Sequence, residues 1–189
     1  MRKDRFSVLW LQAGSCGGCT MSLIEHGRRG LFAEFDAFGI DLLWHPSLSE
    51  ETGEEARAIL EAVEAGERRL DALVVEGSVL MGPAGTGRCQ ILAGTGRTMA
   101  DWVTSLARRA GVVVAVGSCA AYGGIPRAEP DPAEATGLQF DGPDHGGALG
   151  AGFRAKSGLP VVAVAGCAPH PGWIVETLAA LAAGGLSAE

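Results

Sequence analysis

The sequence has few aromatic residues, no long apolar run and no cluster of basic residues, and each absence excludes a class of protein. Aromatic side chains make up only 6% of the 189 residues, so aliphatic side chains must form most of the interior. No apolar run approaches the roughly 20 residues that a membrane-spanning helix needs. Since the net charge is −7 and Lys and Arg form no stripe, a nucleic acid is excluded as the expected partner.

The amino-terminal residues contain neither the apolar segment of a secretory signal nor a twin-arginine pattern. We therefore expect a cytoplasmic protein without a membrane span. Five cysteines are present, and an odd number in a reducing compartment fits a disulfide framework poorly. Metal binding or redox chemistry explains them better. The length predicts a single domain over residues 1–189.

What the sequence does contain is a series of short apolar runs, typical of strands buried on both faces of a parallel sheet. These runs predict strands over 6–12, 40–44, 70–76, 112–117 and 160–165. Helical patterns separate them over 19–35, 54–67, 98–110 and 171–183. The alternation predicts an α/β fold, a doubly wound parallel sheet of about five strands with helices on both faces, similar to flavodoxin. Segment 128–158 is rich in Gly, Pro and Asp and predicts a long surface excursion.

Four of the five cysteines lie in segments that follow predicted strands, and each is flanked by glycine. Cys16 and Cys19 follow the first strand, and Cys119 and Cys167 follow the last two. Because the carboxyl ends of parallel strands share one edge, we expect these thiols to converge there. Four thiolates are the ligands of a [4Fe–4S] cluster. A zinc ion uses the same donors, but the solitary Cys119 and Cys167 favour the cluster. Cys89 lacks this setting and is expected to be a plain thiol.

Glu76 ends a predicted buried strand at the same edge. A carboxylate there could relay protons toward a partner, or it could cap and orient the backbone around the cluster. His170 follows Cys167 by three residues and is expected to pack in the loop rather than to bind metal. The other histidines show no metal-ligand spacing and are expected to be surface or packing residues, namely His26, His45 and His145.

Four motifs together resemble the small subunit of [NiFe] hydrogenases. In order along almost the whole chain they are VLWLQAGSCGGCTMSL, VVEGSVLMGPAGTGR, VAVGSCAAYGGIP and GCAPHPGWIVETL. The resemblance is strongest to the cytosolic group of uptake and hydrogen-sensing enzymes. It implies that Cys16, Cys19, Cys119 and Cys167 bind one proximal [4Fe–4S] cluster. It also implies that the nickel–iron centre lies in a separate large subunit, the obligate partner in a heterodimer or higher oligomer.

The resemblance further implies electron transfer to another acceptor protein, or contact with a sensor kinase. Oxygen-tolerant relatives carry two extra cysteines around this cluster, at positions that look like Gly18 and Gly124 here, so an ordinary four-cysteine cluster is expected. Familiar small subunits continue into a domain with two further clusters. Since no cysteine follows Cys167, that domain is expected to be absent. Either the chain is truncated, or it is a one-cluster form like those that feed diaphorase-type partners, and the sequence does not identify the electron acceptor.

Three alternatives compete with the electron-transfer subunit. A hydrogen sensor that signals to a kinase would share the chemistry, and the sequence does not separate the two. The related subunit of the quinone-reducing respiratory complex uses two adjacent cysteines, whereas Gly17 and Gly18 separate Cys16 from Cys19 here. A flavin-binding role rests on fold analogy alone, and the cysteines occupy the loops where the flavin phosphate would lie.

Overall fold

A computed structural model describes residues 5–27 and 30–186. In chain order its strands are β1 (Phe6–Gln12), β2 (Ile40–Trp44), β3 (Ala72–Glu76), β4 (Val79–Leu80), β5 (Val112–Val116), β6 (Ala135–Thr136), β7 (Phe140–Asp141), β8 (Asp144–His145) and β9 (Val162–Val164). The helices are α1 (Gly18–Ile24), α2 (Leu31–Ala37), α3 (Gly53–Ala65), α4 (Met99–Ala107), α5 (Gly117–Tyr122) and α6 (Pro171–Ala182), with a 3-10 turn over Ile125–Arg127.

The central sheet contains five parallel strands in the order β2-β1-β3-β5-β9. Without the short strands, this is the order 2-1-3-4-5 of a flavodoxin-like sheet. The fold class is therefore confirmed. The predicted excursion lies mainly in loops and contributes β6 to a two-stranded sheet with β4, and β7 and β8 to a hairpin.

Both faces of the sheet are covered, which explains why its strands read as continuous apolar runs. Successive side chains of a strand point to opposite faces. In β1, Val8 and Trp10 pack in one core cluster with residues of α2 and α6, whereas Leu9 and Leu11 pack in the other with residues of α3 and α4. All five residues of β3 and all five of β5 are buried. The carboxyl edge of this rigid sheet positions the candidate site.

Two helical predictions need correction. The single helix predicted over 19–35 is two helices, because Gly27 and Gly30 take positive φ angles of 75° and 85° and interrupt the helical path. α5 follows β5 without a loop and was not predicted. Its sequence, GSCAAY, is too short to show a helical period.

Candidate metal centre

Four cysteines line one cavity at the carboxyl edge of the sheet. Cys16 lies in the loop after β1 and Cys19 in the first turn of α1, while Cys119 lies in α5 and Cys167 in the loop after β9. The structure thus brings together all four predicted cysteines. The cavity holds about 310 Å³ free of protein atoms, part of it open to solvent. Cys89 is exposed and is not among the lining residues.

The donor set suits a group larger than a single ion. Within residues 5–27 and 30–186, no group of three or more His, Cys, Asp or Glu side chains could hold one metal ion. A tetrahedral zinc site requires such close convergence of its ligands. A [4Fe–4S] cluster instead takes one thiolate at each of four iron atoms, so its ligands stand further apart around a cavity. The residues therefore fit the cluster better than zinc.

Glycines keep the space beside the sulfur atoms open. A Cβ atom at Gly117 would lie 2.5 Å from Cys19 Sγ, and one at Gly124 would lie 2.6 Å from Cys119 Sγ. At Gly18 the distance to Cys16 Sγ would be 3.2 Å. A side chain at any of these positions would press on the neighbouring cysteine. Gly18 and Gly124, expected to replace the extra cysteines of oxygen-tolerant relatives, both adjoin a cysteine sulfur of the cavity.

Burial and neighbouring charges disfavour free thiolates at two of the cysteines. Burial, followed by the charge of Glu76 and the other three thiols, raises the pKa of Cys19 to about 12. Burial is also the main cause that raises the pKa of Cys119. Both thiols are therefore protonated at neutral pH without metal. Metal binding must displace these protons, so it depends on pH.

Glu76 is fully buried and fixes the loop that carries Cys16 and Cys19. Its Oε1 accepts hydrogen bonds from Ser15 Oγ at 2.9 Å and from the backbone N–H groups of Cys19 and Thr20 at 3.2 and 3.3 Å. α1 needs this remote cap, because no side chain caps its first turn at Gly17. Of the two roles considered for Glu76, capping is the one that the geometry displays.

Further hydrogen bonds join the other cysteine loops to each other and to α1. The Ser118 N–H donates to the Gly166 carbonyl at 2.9 Å, and the Gly166 N–H donates to Ser118 Oγ at 3.2 Å. Ser22 Oγ in α1 donates to the Pro169 carbonyl at 2.7 Å. Hydrogen bonds within the chain therefore tie the cysteine loops after β5 and β9 to each other and to α1.

The histidines have different environments, and the sequence did not predict the hydrogen bonding of His45. His170 Nδ1 accepts from the Gly172 N–H and caps α6, while His26 Nε2 lies 2.6 Å from Glu34 Oε2. His45 was expected to be an ordinary surface or packing residue. It is fully buried, and its Nε2 lies 3.2 Å from Thr20 Oγ1. One signal was available: His45 directly follows a predicted strand, as the cysteines do.

Comparisons with known proteins identify relatives of this chain. A family model described as NADH ubiquinone oxidoreductase, 20 Kd subunit, matches residues 16–181. The F420 non-reducing hydrogenase II small subunit of Methanosarcina mazei is 29% identical over 192 residues, covering 94% of this chain and 48% of that relative. The periplasmic [NiFeSe] hydrogenase small subunit of Desulfomicrobium baculatum is 33% identical over 183 residues, covering 92% and 53%.

The solved structures include a recombinant [NiFeSe] hydrogenase from Desulfovibrio vulgaris Hildenborough, with a TM-score of 0.75 and 33% identity. That match covers 93% of this chain and 59% of the other. The chain spans about half the length of the curated relatives it matches. None of the helices in the described part of the chain has the length and apolar character needed to span a membrane.

Proposed function

Since this chain belongs to the family of NADH ubiquinone oxidoreductase 20 Kd subunits and is homologous to hydrogenase small subunits, we propose that it is the electron-transfer subunit of a [NiFe] hydrogenase. The reaction is H₂ ⇌ 2H⁺ + 2e⁻ at a nickel–iron centre in a separate large subunit. This chain forms an obligate complex with that subunit and carries its electrons away.

The observation that carries the proposal is the convergence of four thiols from three distant loops on one glycine-lined cavity. In this assignment Cys16, Cys19, Cys119 and Cys167 hold one [4Fe–4S] cluster. When bound, the cluster takes up and releases one electron at a time. The chain itself supplies a cavity that is part open, so a partner that covers it would exclude water from the cluster.

The respiratory-complex alternative is less well supported. The matching family model carries the name of that subunit. The curated relatives described above are nevertheless hydrogenase small subunits, and Cys16 and Cys19 are separated rather than adjacent. A hydrogenase subunit accounts for both observations.

Glu76 keeps a candidate role as a proton relay toward the large subunit. Among its hydrogen-bond donors, Ser15 is a side chain that also lines the cavity, so a proton would leave the carboxylate through this hydroxyl. Glu76→Gln removes the carboxylate. Glutamine keeps a side-chain oxygen that can accept the capping hydrogen bonds at Oε1. A relay therefore predicts slower H₂ turnover in the complex at an unchanged cluster content, whereas a pure cap predicts that turnover and cluster content both stay unchanged.

We also propose a domain organisation, a cellular location and an electron acceptor for the subunit. We assign residues 1–189 to one iron–sulfur domain and place the complex in the cytoplasm. Its electrons pass to a further acceptor protein, or the complex signals to a sensor kinase. Hydrogen-dependent dye reduction distinguishes these outputs, because an uptake enzyme turns over rapidly and a sensor very slowly.

Serine substitutions test the ligand set directly. The full chain is loaded anaerobically with iron and sulfide, and its metal content and reduced-state electron paramagnetic resonance (EPR) spectrum are measured. We expect four iron and four sulfide per chain in the wild type, and loss of this cluster in each of the four ligand variants. Cys89→Ser is the matched control and keeps the cluster. Binding of zinc alone, without iron and sulfide, would overturn the proposal.

A further inference from the structure

A polar network continues from Glu76 to the carboxyl end of β2. His45 Nδ1 accepts a hydrogen bond from the Ser47 N–H at 3.0 Å, so the ring carries its hydrogen on Nε2. Burial is the main cause that lowers the pKa of His45 to about 4, which keeps the ring neutral at physiological pH. The Nε2–H therefore donates to Thr20 Oγ1, 3.2 Å away.

The direction of the next hydrogen bond follows from the valence of a hydroxyl group. Thr20 Oγ1 also accepts from Gln12 Nε2 at 2.9 Å. The amide of Gln12 is oriented by Ser47 Oγ, which donates to its Oε1 at 3.0 Å. With both lone pairs of Thr20 Oγ1 in use, its single hydrogen donates to Glu76 Oε2. The network thus has one direction, toward Glu76.

Glu76 acts as the acceptor, and never as the donor, in each of its hydrogen bonds. Oε2 also accepts from Trp10 Nε1 at 3.2 Å, and Oε1 accepts from the groups of the Cys16–Cys19 loop. An ionised carboxylate is acceptor-only. No Lys or Arg is among its hydrogen-bond partners in the described part of the chain. Hydrogen-bond donors, rather than a cation, compensate this buried charge.

We propose that His45 is a positioning residue for the cluster: through Thr20 it orients the hydrogen bond that compensates the charge of Glu76, and thereby sets the potential at which the cluster accepts an electron. A negative charge beside Cys19 opposes the addition of an electron, and a donor that compensates the charge eases it. The proposal rests on the proposed function, because it requires the cluster.

The test compares variants of the loaded full chain by redox titration followed by EPR. His45→Phe keeps a ring beside Trp10, whose ring centre lies 5.1 Å from that of His45, but removes the N–H. Thr20→Val removes the hydroxyl at constant shape. We expect both variants to lower the midpoint potential. At a fixed solution potential the ratio of reduced to oxidised cluster should fall at least about threefold, where tenfold corresponds to about 59 mV.

Three further variants separate the positioning role from a structural one. Glu76→Gln removes the charge and should raise the midpoint potential. His45→Gln restores an N–H near the position of Nε2 and should bring the potential back toward that of the wild type. His145→Phe, in the exposed hairpin of β7 and β8, should change nothing. In the Glu76→Gln background, His45→Phe should cause no additional shift, because the two effects act through one carboxylate.

Two results would overturn the proposal. One is a loaded His45→Phe or Thr20→Val protein with the wild-type potential and spectrum, and the other is a His45→Phe shift that persists without Glu76. If His45→Phe does not fold, Thr20→Val decides. A wild-type chain that binds no iron and sulfide would contradict the proposed function itself, and ¹⁵N NMR of the cluster-free chain then still tests the network. A hydrogen on Nδ1 of His45 would refute its direction.

Discussion

At the scale of single residues, the five cysteines differ in burial, which predicts their order of alkylation. Cys16, Cys89 and Cys167 are exposed, whereas Cys19 and Cys119 are half-buried with raised pKa values. Since the thiolate is the nucleophile, iodoacetamide should modify the exposed three first in cluster-free protein at neutral pH, and Cys19 most slowly. Peptide mapping by mass spectrometry measures this order.

The loaded protein provides the control for this experiment. Iron protects its ligands, so we expect alkylation of Cys89 alone. Modification of any of the other four at the rate of Cys89 would remove that residue from the ligand set.

The buried His45 predicts a loss of stability in acid. Its pKa falls from 6.5 to about 4 on folding. Between these pH values the unfolded chain therefore binds a proton at His45 that the folded chain does not bind. The free energy of unfolding keeps its full value with respect to His45 above pH 6.5. It decreases by ~3 kcal/mol as the pH falls from 6.5 toward 4. Urea unfolding of the cluster-free chain measures the free energy at each pH. His45→Phe should flatten the slope in this window; an equal slope in both proteins would contradict the assignment.

Candidate site residues were predictable from the sequence where their position after a predicted strand identified them. The four cysteines follow strand ends, and that position alone brought them to one edge. The partners of Glu76 were not predictable, because the hydrogen bonds from Trp10 Nε1 and Thr20 Oγ1 depend on side-chain directions that no sequence pattern encodes. His45 satisfied the same positional rule as the cysteines, yet its strand was the weakest of the five predicted.

At the scale of elements, the start of α5 predicts a specific glycine requirement. Gly117 has a φ of +90°, and a Cβ there would lie 2.5 Å from Cys19 Sγ. Gly39 has a φ of +69°, and among the described atoms none lies within 4 Å of its Cβ position. Both alanine variants carry the backbone strain, but we expect only Gly117→Ala to lower cluster occupancy, severalfold. Iron content per folded chain measures it.

Equal loss of iron in both alanine variants would show that backbone strain, rather than the contact with sulfur, determines occupancy. Strand prediction succeeded at this scale because buried parallel strands are continuously apolar: β1 and β2 match their predicted bounds. Helix prediction failed at Gly27 and Gly30 because an isolated glycine is tolerated in many helices, and only the tertiary path reveals which ones break.

At the scale of the whole molecule, the hydrophobic core and the metal site are separable. Both hydrophobic core clusters consist mainly of aliphatic and aromatic side chains, and Cys19 packs against the margin of one of them. Removal of iron should therefore increase hydrogen exchange at 14–20, 117–123 and 165–170 by at least about tenfold while β3 and β5 stay protected, as for local opening. Exchange monitored by mass spectrometry compares the two forms. Loss of protection throughout the sheet would mean that the cluster holds the fold together.

The topology of the whole molecule was predictable, since strand and helix alternation with short connections leaves few arrangements. The path of segment 128–158 was not, because its turns depend on contacts such as the one between Arg127 and Asp141 rather than on a repeating pattern.

The spread of the ligands along the chain constrains when the site can be completed in a cell. Cys16 and Cys167 stand near opposite ends of the sequence, and the second follows β9, the final strand of the sheet. Ribosomes release the amino-terminal half first. In the proposed assignment, a nascent chain therefore offers at most three of the four sulfur ligands until the segment after β9 emerges. Four-ligand binding of iron would then require that all five strands of the sheet have left the ribosome.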